Sequence, residues 1–318
     1  MNNPKKIVVH NGFFHADDVF ACYLILQLEE FSKAEIIRSN DPDVIKNGDI
    51  VIDVGETYNH GQKRYDHHQL FFNEKFPNSN VIMSSAGLIY FHYGKQIIKN
   101  FLTKNSQDID LNELNSCIDL LWERLYFQFI QEIDAEDNEI SLFSTDCQIF
   151  DINTRIFNRI QMMNPPLMEI SRINPDYDSY FKKAISFIGE EFESLIHFFY
   201  NQVIYDQIII KAIRNRFNTH PSGKIIELPV KTQSYQIVPL EKKEGIEREI
   251  LFEIYYRPEL NHWSIQVIDD VLFKARKSLP LDGKQNVKNI HFIHKTGFLG
   301  CGKTRESVIK LAEYAFNH

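Results

Sequence analysis

Residues 5–31 read KKIVVHNGFFHADDVFACYLILQLEEF, and the order of these residues decides the architecture. KKIVVH (5–10) is a short apolar run bounded by polar residues, the pattern of a buried strand. DVFACYLILQLEEF (18–31) repeats its apolar residues at helical spacing. Between the two, HNGFFHADD places His10, His15, Asp17 and Asp18 just after the strand. In an α/β sheet, ligands sit beyond the C-terminal ends of the strands.

The alternation continues outward. AEIIRS (34–39) and DIVIDVG (49–55) read as strands, 84–102 as a helix opened by serine, and 111–137 as a longer helix. Such alternation predicts a mainly parallel sheet with helices on both faces. Residues 164–179 carry three of the eleven prolines and read as a connection, followed by a long helix over 180–217. KIIELP, YQIVPL, EILFEIYYR, HWSIQVI and IHFIH then read as strands, and 241–250 as a solvated loop and strand edge. GFLGCGKT (297–304) reads as a loop leading into a final helix. The expected fold is α/β. It has an N-terminal, mainly parallel-sheet domain over 1–165, a linker and connecting helix over 166–217, and a smaller C-terminal α+β domain over 218–318.

Composition narrows the function. Of 318 residues, 43% are hydrophobic and 25% charged, as in a soluble globular protein. No apolar run is long enough to span a membrane, and the N-terminus resembles neither a signal nor a transit peptide, so a cytoplasmic protein is expected. Cys22, Cys117, Cys147 and Cys301 form no C-x-x-C pair, which speaks against a zinc ribbon or disulfide scaffold and for buried, reduced thiols. The net charge of −8 argues against a protein that grips long nucleic acid through many phosphates. Bound metal ions could still supply positive charge for a phosphate substrate.

Histidines and aspartates gather at the ends of elements. Asp53 ends one strand, RYDHHQ brings Asp66, His67 and His68, and EIDAEDN places Asp134 and Asp137 at the end of the long helix. Imidazoles mixed with carboxylates suit manganese, iron, cobalt or zinc, and the absence of cysteine speaks against a structural zinc site. GFLGCGKT matches the phosphate loop of nucleotide hydrolases letter for letter. Only one helix remains after it, whereas such enzymes need later strands to orient magnesium and water. What survives is local: glycines that let backbone N–H groups face an anion, a helix N-terminus, Lys303 and Arg305. The alternative is that the glycines only make a tight strand-to-helix turn.

Together, HNGFFHADDVFACYL, DIVIDVGETY, RYDHHQLFF, SSAGLIYFHYG, FIQEIDAEDN, PSGKIIELP, WSIQVI and FIHKTGFLGCGKTRESVIKLA resemble the DHH phosphoesterase superfamily. Within it they are similar to the melanocyte proliferating gene 1 family, metal-dependent hydrolases implicated as 3′-to-5′ RNA exonucleases. The resemblance implies two divalent ions, Mn2+ foremost, with Mg2+, Co2+, Fe2+ or Zn2+ as alternatives. His10, His15 and Asp53 would hold one ion. Asp17, Asp53, His67 and Asp134 would hold the other, with Asp53 bridging; Asp137 is the alternative to Asp134. Asp66 would orient His67, and His68 would face the substrate phosphate. Gly300, Gly302, Lys303, Thr304 and Arg305 would clamp that phosphate, brought to the metals by two domains closing over a cleft. The family usually has glycine where this chain has Glu139, and Cys301 and Gly302 depart from its usual GFIGG(N/H)(K/R)TRE. The implied function is a phosphodiesterase acting from the 3′ end of RNA or a short oligonucleotide. A small-molecule phosphatase or pyrophosphatase-like hydrolase is one rival, and a non-catalytic metal-binding regulatory protein another. No membrane partner is expected, and a homo-oligomer is compatible with the sequence.

Overall fold

The structure is a computed structural model and describes residues 4–105, 111–140, 152–171, 175–270 and 274–318. The chain divides into two compact units, residues 1–201 and 202–318.

The first unit opens with β1 (Lys6–Val9), α1 (Ala16–Leu26), β2 (Glu35–Arg38), α2 (Pro42–Lys46), β3 (Ile50–Ile52), β4 (Tyr58–Asn59) and β5 (Arg64–Tyr65). Its sheet runs in the order β2-β1-β3-β5-β4, parallel except for β4. Ile7–Val9 and Ile50–Ile52 are all buried. A strand covered on both faces needs an unbroken apolar run rather than alternation. The chain leaves β1 for β2 on one side and returns to β3 on the other, so β1 and β3 flank a switch point, where such sheets bind ligands. The register Val9↔Ile52 makes His10 and Asp53 emerge side by side from that point.

Helices then complete the unit. They are α3 (Ser85–Asn105), α4 (Leu111–Leu125) and α5 (Gln131–Asp137), the last two joined through a π turn at Tyr126–Ile130. From Ala16 to Ile25 every residue of α1 is buried, because α1 packs on α3 as well as the sheet. Any side chain at Gly87 would collide with the Asp134 carboxylate, so glycine there allows α3 to approach α5. Beyond α5, Glu139 adopts a left-handed backbone, φ +55°, while Ile140 N donates to Ala135 O at 2.8 Å. This is the helix-ending geometry that glycine usually serves. Next come α6 (Ile156–Gln161), α7 (Leu167–Ile170) and α8 (Tyr177–Arg214), which runs on into the residues of the second unit, where α9 (Arg216–Thr219) follows. The region expected to be a plain connection thus holds a short helix and the start of the long one; residues 172–174 of it, and Cys147, lie outside the described residues.

The second unit comprises β6 (Ile225–Glu227), α10 (Ser234–Lys243), β7 (Phe252–Arg257), β8 (His262–Val267), β9 (Asp269–Asp270), β10 (Lys274–Ala275), α11 (Gly283–Asn286), β11 (Ile290–Ile293), β12 (Leu299–Gly302) and α12 (Arg305–Phe316). Its main sheet is β11-β12-β8-β7-β6, antiparallel except for β6 with β7. Phe252, Ile254, Ile265 and Val267 form one core with Val308, Leu311, Ala312 and Ala315 of α12.

Two sequence expectations fail here. YQIVPL belongs to helix α10, not a strand. A Gln233–Gln236 capping box starts it, and Ile237 and Glu241, one helical turn apart, are buried despite Pro239 inside. GFLGCG is not all loop either, since Leu299–Gly302 form an interior strand between β11 and β8. A Cβ at Gly300 would press on Leu311, Ile265 and Leu279, and one at Gly302 on the Ser307 hydroxyl. These glycines let α12 lie close on the sheet.

Candidate metal centre

Asp53 organises the site. It stands at the end of β3 with φ +53°, a left-handed backbone that non-glycine residues seldom adopt and that tends to occur at functional positions. Its carboxylate is buried and looks two ways. Oδ2 lies 3.5 Å from His10 Nε2 and 3.9 Å from His15 Nδ1. Oδ1 lies 3.6 Å from both His67 Nε2 and His68 Nδ1.

Other carboxylates surround these rings. Asp18 Oδ2 is 3.0 Å from His10 Nε2, while Asp18 Oδ1 accepts from His15 N and Val19 N and so starts α1. Asp137 reaches His67 Nε2 at 2.8 Å and His15 Nδ1 at 3.5 Å. Asp17 accepts from Ala86 N at 2.5 Å and Ser85 N at 3.2 Å, at the N-terminus of α3. Three sets of ligand-type atoms each lie within 4.8 Å of one another: His10, His15 and Asp18; Asp53, His67 and His68; Asp17, His67 and Asp137.

The donor set fits divalent cations. His10 Nε2, His15 Nδ1, Asp18 Oδ2, Asp53 Oδ2 and His67 Nε2 are buried and meet one another or Asp137 as close charged contacts rather than as well-formed hydrogen bonds. Buried polar atoms are rarely left so, and five turned toward one another mark a place for a ligand. The electrostatics agree. Burial opposes charge on His67, yet Asp137, Asp53 and Asp17 outweigh it and push the imidazole up to about 11. His10 rises to about 9 against burial through Asp18 and Asp53. Burial, then neighbouring carboxylates, holds Asp17 well above the usual carboxylate range. The pocket has more negative charge than it can hold unaided, a deficit that bound cations would meet.

Not every expected residue joins this cluster. Asp134, preferred from sequence as a ligand, is fully buried and its oxygens are already engaged. Ser84 N and Oγ donate to Oδ1 at 3.0 and 2.7 Å, and Tyr126 OH to Oδ2 at 2.8 Å. Burial raises its carboxyl to about 7 against those bonds. Asp137, one turn later on α5, is the carboxylate that faces the imidazoles. Asp66 also differs from expectation. Its Oδ1 accepts from His68 N at 3.1 Å and meets His68 Nδ1 at 2.7 Å, and its Oδ2 accepts from Glu56 N at 2.6 Å. Asp66 therefore orients His68, not His67. Sequence reading gave no ligand role to Asp18; its position three residues into α1 was the available signal, and it reads equally as a helix cap.

The residues expected to clamp a phosphate lie on β12 and at the start of α12. Gly300 and Gly302 have their backbone committed to an interior strand. Thr304 caps α12, accepting from Ser307 N at 3.2 Å, and Arg305 pairs with Glu227 at 2.7 Å. Lys303 remains exposed.

Fold and site together define an α/β protein whose histidine–carboxylate centre sits on strand ends and includes the DHH motif. The chain belongs to the MYG1 exonuclease family, described as uncharacterised protein family UPF0160, whose profile matches residues 6–316. It is 34% identical to the MYG1 protein of Saccharomyces cerevisiae over 97% of this chain and 95% of that one. It is 31% identical to the MYG1 exonuclease of Mus musculus, covering 97% and 84%. RecJ in complex with Mn2+ from Thermus thermophilus superposes with a TM-score of only 0.25 at 13% identity, over 99% of this chain and 52% of that one, and adds nothing to the assignment.

Proposed function

We propose that the protein is a metal-dependent phosphodiesterase that shortens RNA or short oligonucleotides from the 3′ end. The observation that carries this reading is the two-sided Asp53 carboxylate, with an imidazole pair at each oxygen. Its mouse and human relatives bear the name exonuclease, in keeping with that chemistry.

His10, His15 and Asp53, with Asp18 beside them, would hold one divalent cation, and Asp17, Asp53, His67 and Asp137 a second. When bound, such ions supply positive charge and an activated water for attack at phosphorus. Mn2+ is our first choice, because the carboxylates suit a hard ion while the imidazoles disfavour the all-oxygen ligand set of Mg2+ or Ca2+. The chain's own residues do the positioning. Asp53 keeps the two ligand sets in register through its rigid, left-handed backbone. Asp66 fixes His68 through Nδ1, which leaves Nε2 of this half-exposed ring for a phosphoryl oxygen. The net charge of −8 favours short substrates over long polyanions.

The test is metal analysis together with cleavage of a 5′-labelled RNA oligonucleotide in Mn2+. Stepwise shortening is expected, and Asp53→Asn should lower turnover by about 100-fold or more. Asparagine tolerates the left-handed backbone, so the variant should fold. Phosphate release from small phosphomonoesters without shortening would point to a phosphatase, and a metal-free protein would sink both.

A further inference from the structure

Exposed apolar side chains stand within three residues of two histidines of the metal centre. Leu70 and Phe71 are 88% and 91% exposed, and Phe13 is 50% exposed. Phe71 follows His68 by three residues and Phe13 precedes His15 by two. The backbone spans at most about 3.6 Å per residue, so each phenylalanine stays within roughly 11 Å of its histidine along the chain. Both segments converge on one group, since His15 and His68 lie 3.9 and 3.6 Å from the Asp53 carboxylate.

The backbone that carries Phe71, and the ring of Phe13, are held in place. Phe72 N donates to Gln69 O at 2.9 Å and closes the turn that carries Phe71. Phe72 packs edge-on against His67 and Tyr58, at 6.2 and 5.8 Å between ring centres. Phe13 stands edge-to-face with Tyr177 at 6.2 Å. Aromatic rings facing water from held backbone beside a phosphodiester site suit one kind of occupant: an unpaired base, which stacks whatever its identity. The charge of −8 strengthens the point, because affinity for a nucleotide chain cannot rest on many phosphate contacts.

We propose that Phe71, with Leu70 beside it, and Phe13 form a stacking platform for the bases flanking the scissile phosphodiester of a single-stranded oligonucleotide. This rests on the phosphodiesterase reading and adds to it what selects the substrate. A duplex end keeps its bases stacked and paired and cannot use the platform.

The experiment compares a short RNA oligonucleotide with the same chain carrying an abasic 3′-terminal nucleotide. The ratio of their kcat/KM values is measured for wild type, Phe71→Ala, Phe13→Ala and Phe71→Trp. In parallel, quenching of an oligonucleotide with 2-aminopurine at its 3′ end reports stacking without turnover. Loss of one stacked base should cut the ratio by about 5- to 150-fold in the alanine variants, mainly through KM, and weaken quenching alike. Phe71→Trp should restore both. If wild type treats the two substrates alike and does not quench 2-aminopurine, the platform is refuted even where cleavage occurs. If quenching depends on Phe71 but nothing is cleaved, the platform stands and the hydrolase reading falls. If Phe71→Ala lowers the oligomeric mass and leaves ratio and quenching unchanged, the patch belongs to a second copy and the proposal is overturned.

Discussion

Asp134 and Asp137 lie on the same short helix, yet their environments differ in kind. Asp134 accepts hydrogen bonds from Ser84 and Tyr126 and joins α5 to the start of α3 and the π turn. Asp137 meets the imidazoles of His67 and His15. Asp137→Asn should therefore weaken Mn2+ binding by about 10- to 100-fold with little change in melting temperature. Asp134→Ala should do the reverse. It strands buried donors, each costing about 1–3 kcal/mol, so stability falls while metal stoichiometry is kept. Titration with Mn2+ and thermal unfolding of both variants decide the matter, and equal metal loss in the two would return the ligand role to Asp134.

At the scale of an element, the end of α5 shows how a local misfit accompanies a site. Glu139 occupies a left-handed turn at φ +55°, a conformation that glycine usually serves. An L side chain in that region costs roughly 1–2 kcal/mol, partly offset by the greater freedom of glycine in the unfolded chain. Glu139→Gly should thus raise stability by about 0.5–1 kcal/mol, read as a higher urea midpoint at constant slope. An unchanged or lower midpoint would show that the Glu139 side chain contributes more than its backbone costs. In β12, by contrast, glycines at 300 and 302 fit α12 against the sheet, and substitution there meets side chains with little room.

For the molecule as a whole, pH dependence of stability reaches beyond the metal centre. Glu253 on β7 is fully buried in the second unit. Thr232 N donates to Oε1 at 3.4 Å, and Oε2 has no hydrogen-bond partner among the described residues. Burial lifts its carboxyl to about 8, against the Thr232 bond and the charge of Lys231. The folded value lies above the unfolded one. Below about 4.5 both states hold the proton and nothing is lost. As pH rises from there to about 8, the unfolded state ionises first and stability falls, on the order of 5 kcal/mol in full. Glu253→Gln stays neutral. The melting-temperature gain of this variant over wild type should therefore be small at pH 5 and reach several degrees at pH 9. A gain independent of pH would mean that Glu253 is already ionised in the folded protein.

Local order in the sequence determined most of the architecture. The buried runs of β1 and β3, the helical periodicity of α1, α3 and α8, and the placement of His10, Asp53 and the DHH motif at strand ends all follow from residue pattern, because hydrophobic spacing and strand polarity are properties of neighbours along the chain. The same pattern misread YQIVPL as a strand, since burial of Ile237 and Glu241 on one face of α10 depends on distant residues. It could not separate Asp134 from Asp137, or see that Asp66 holds His68. Both aspartates of α5 have the same chemistry; which one meets a serine and which an imidazole is set by the elements packed against it, with Gly87 of α3 leaving room for Asp134. The role of the glycines in GFLGCGKT was ambiguous in the sequence for a like reason. Glycine permits both an anion cradle and close packing, and only the strands on either side of β12 and the helix above it reveal the packing.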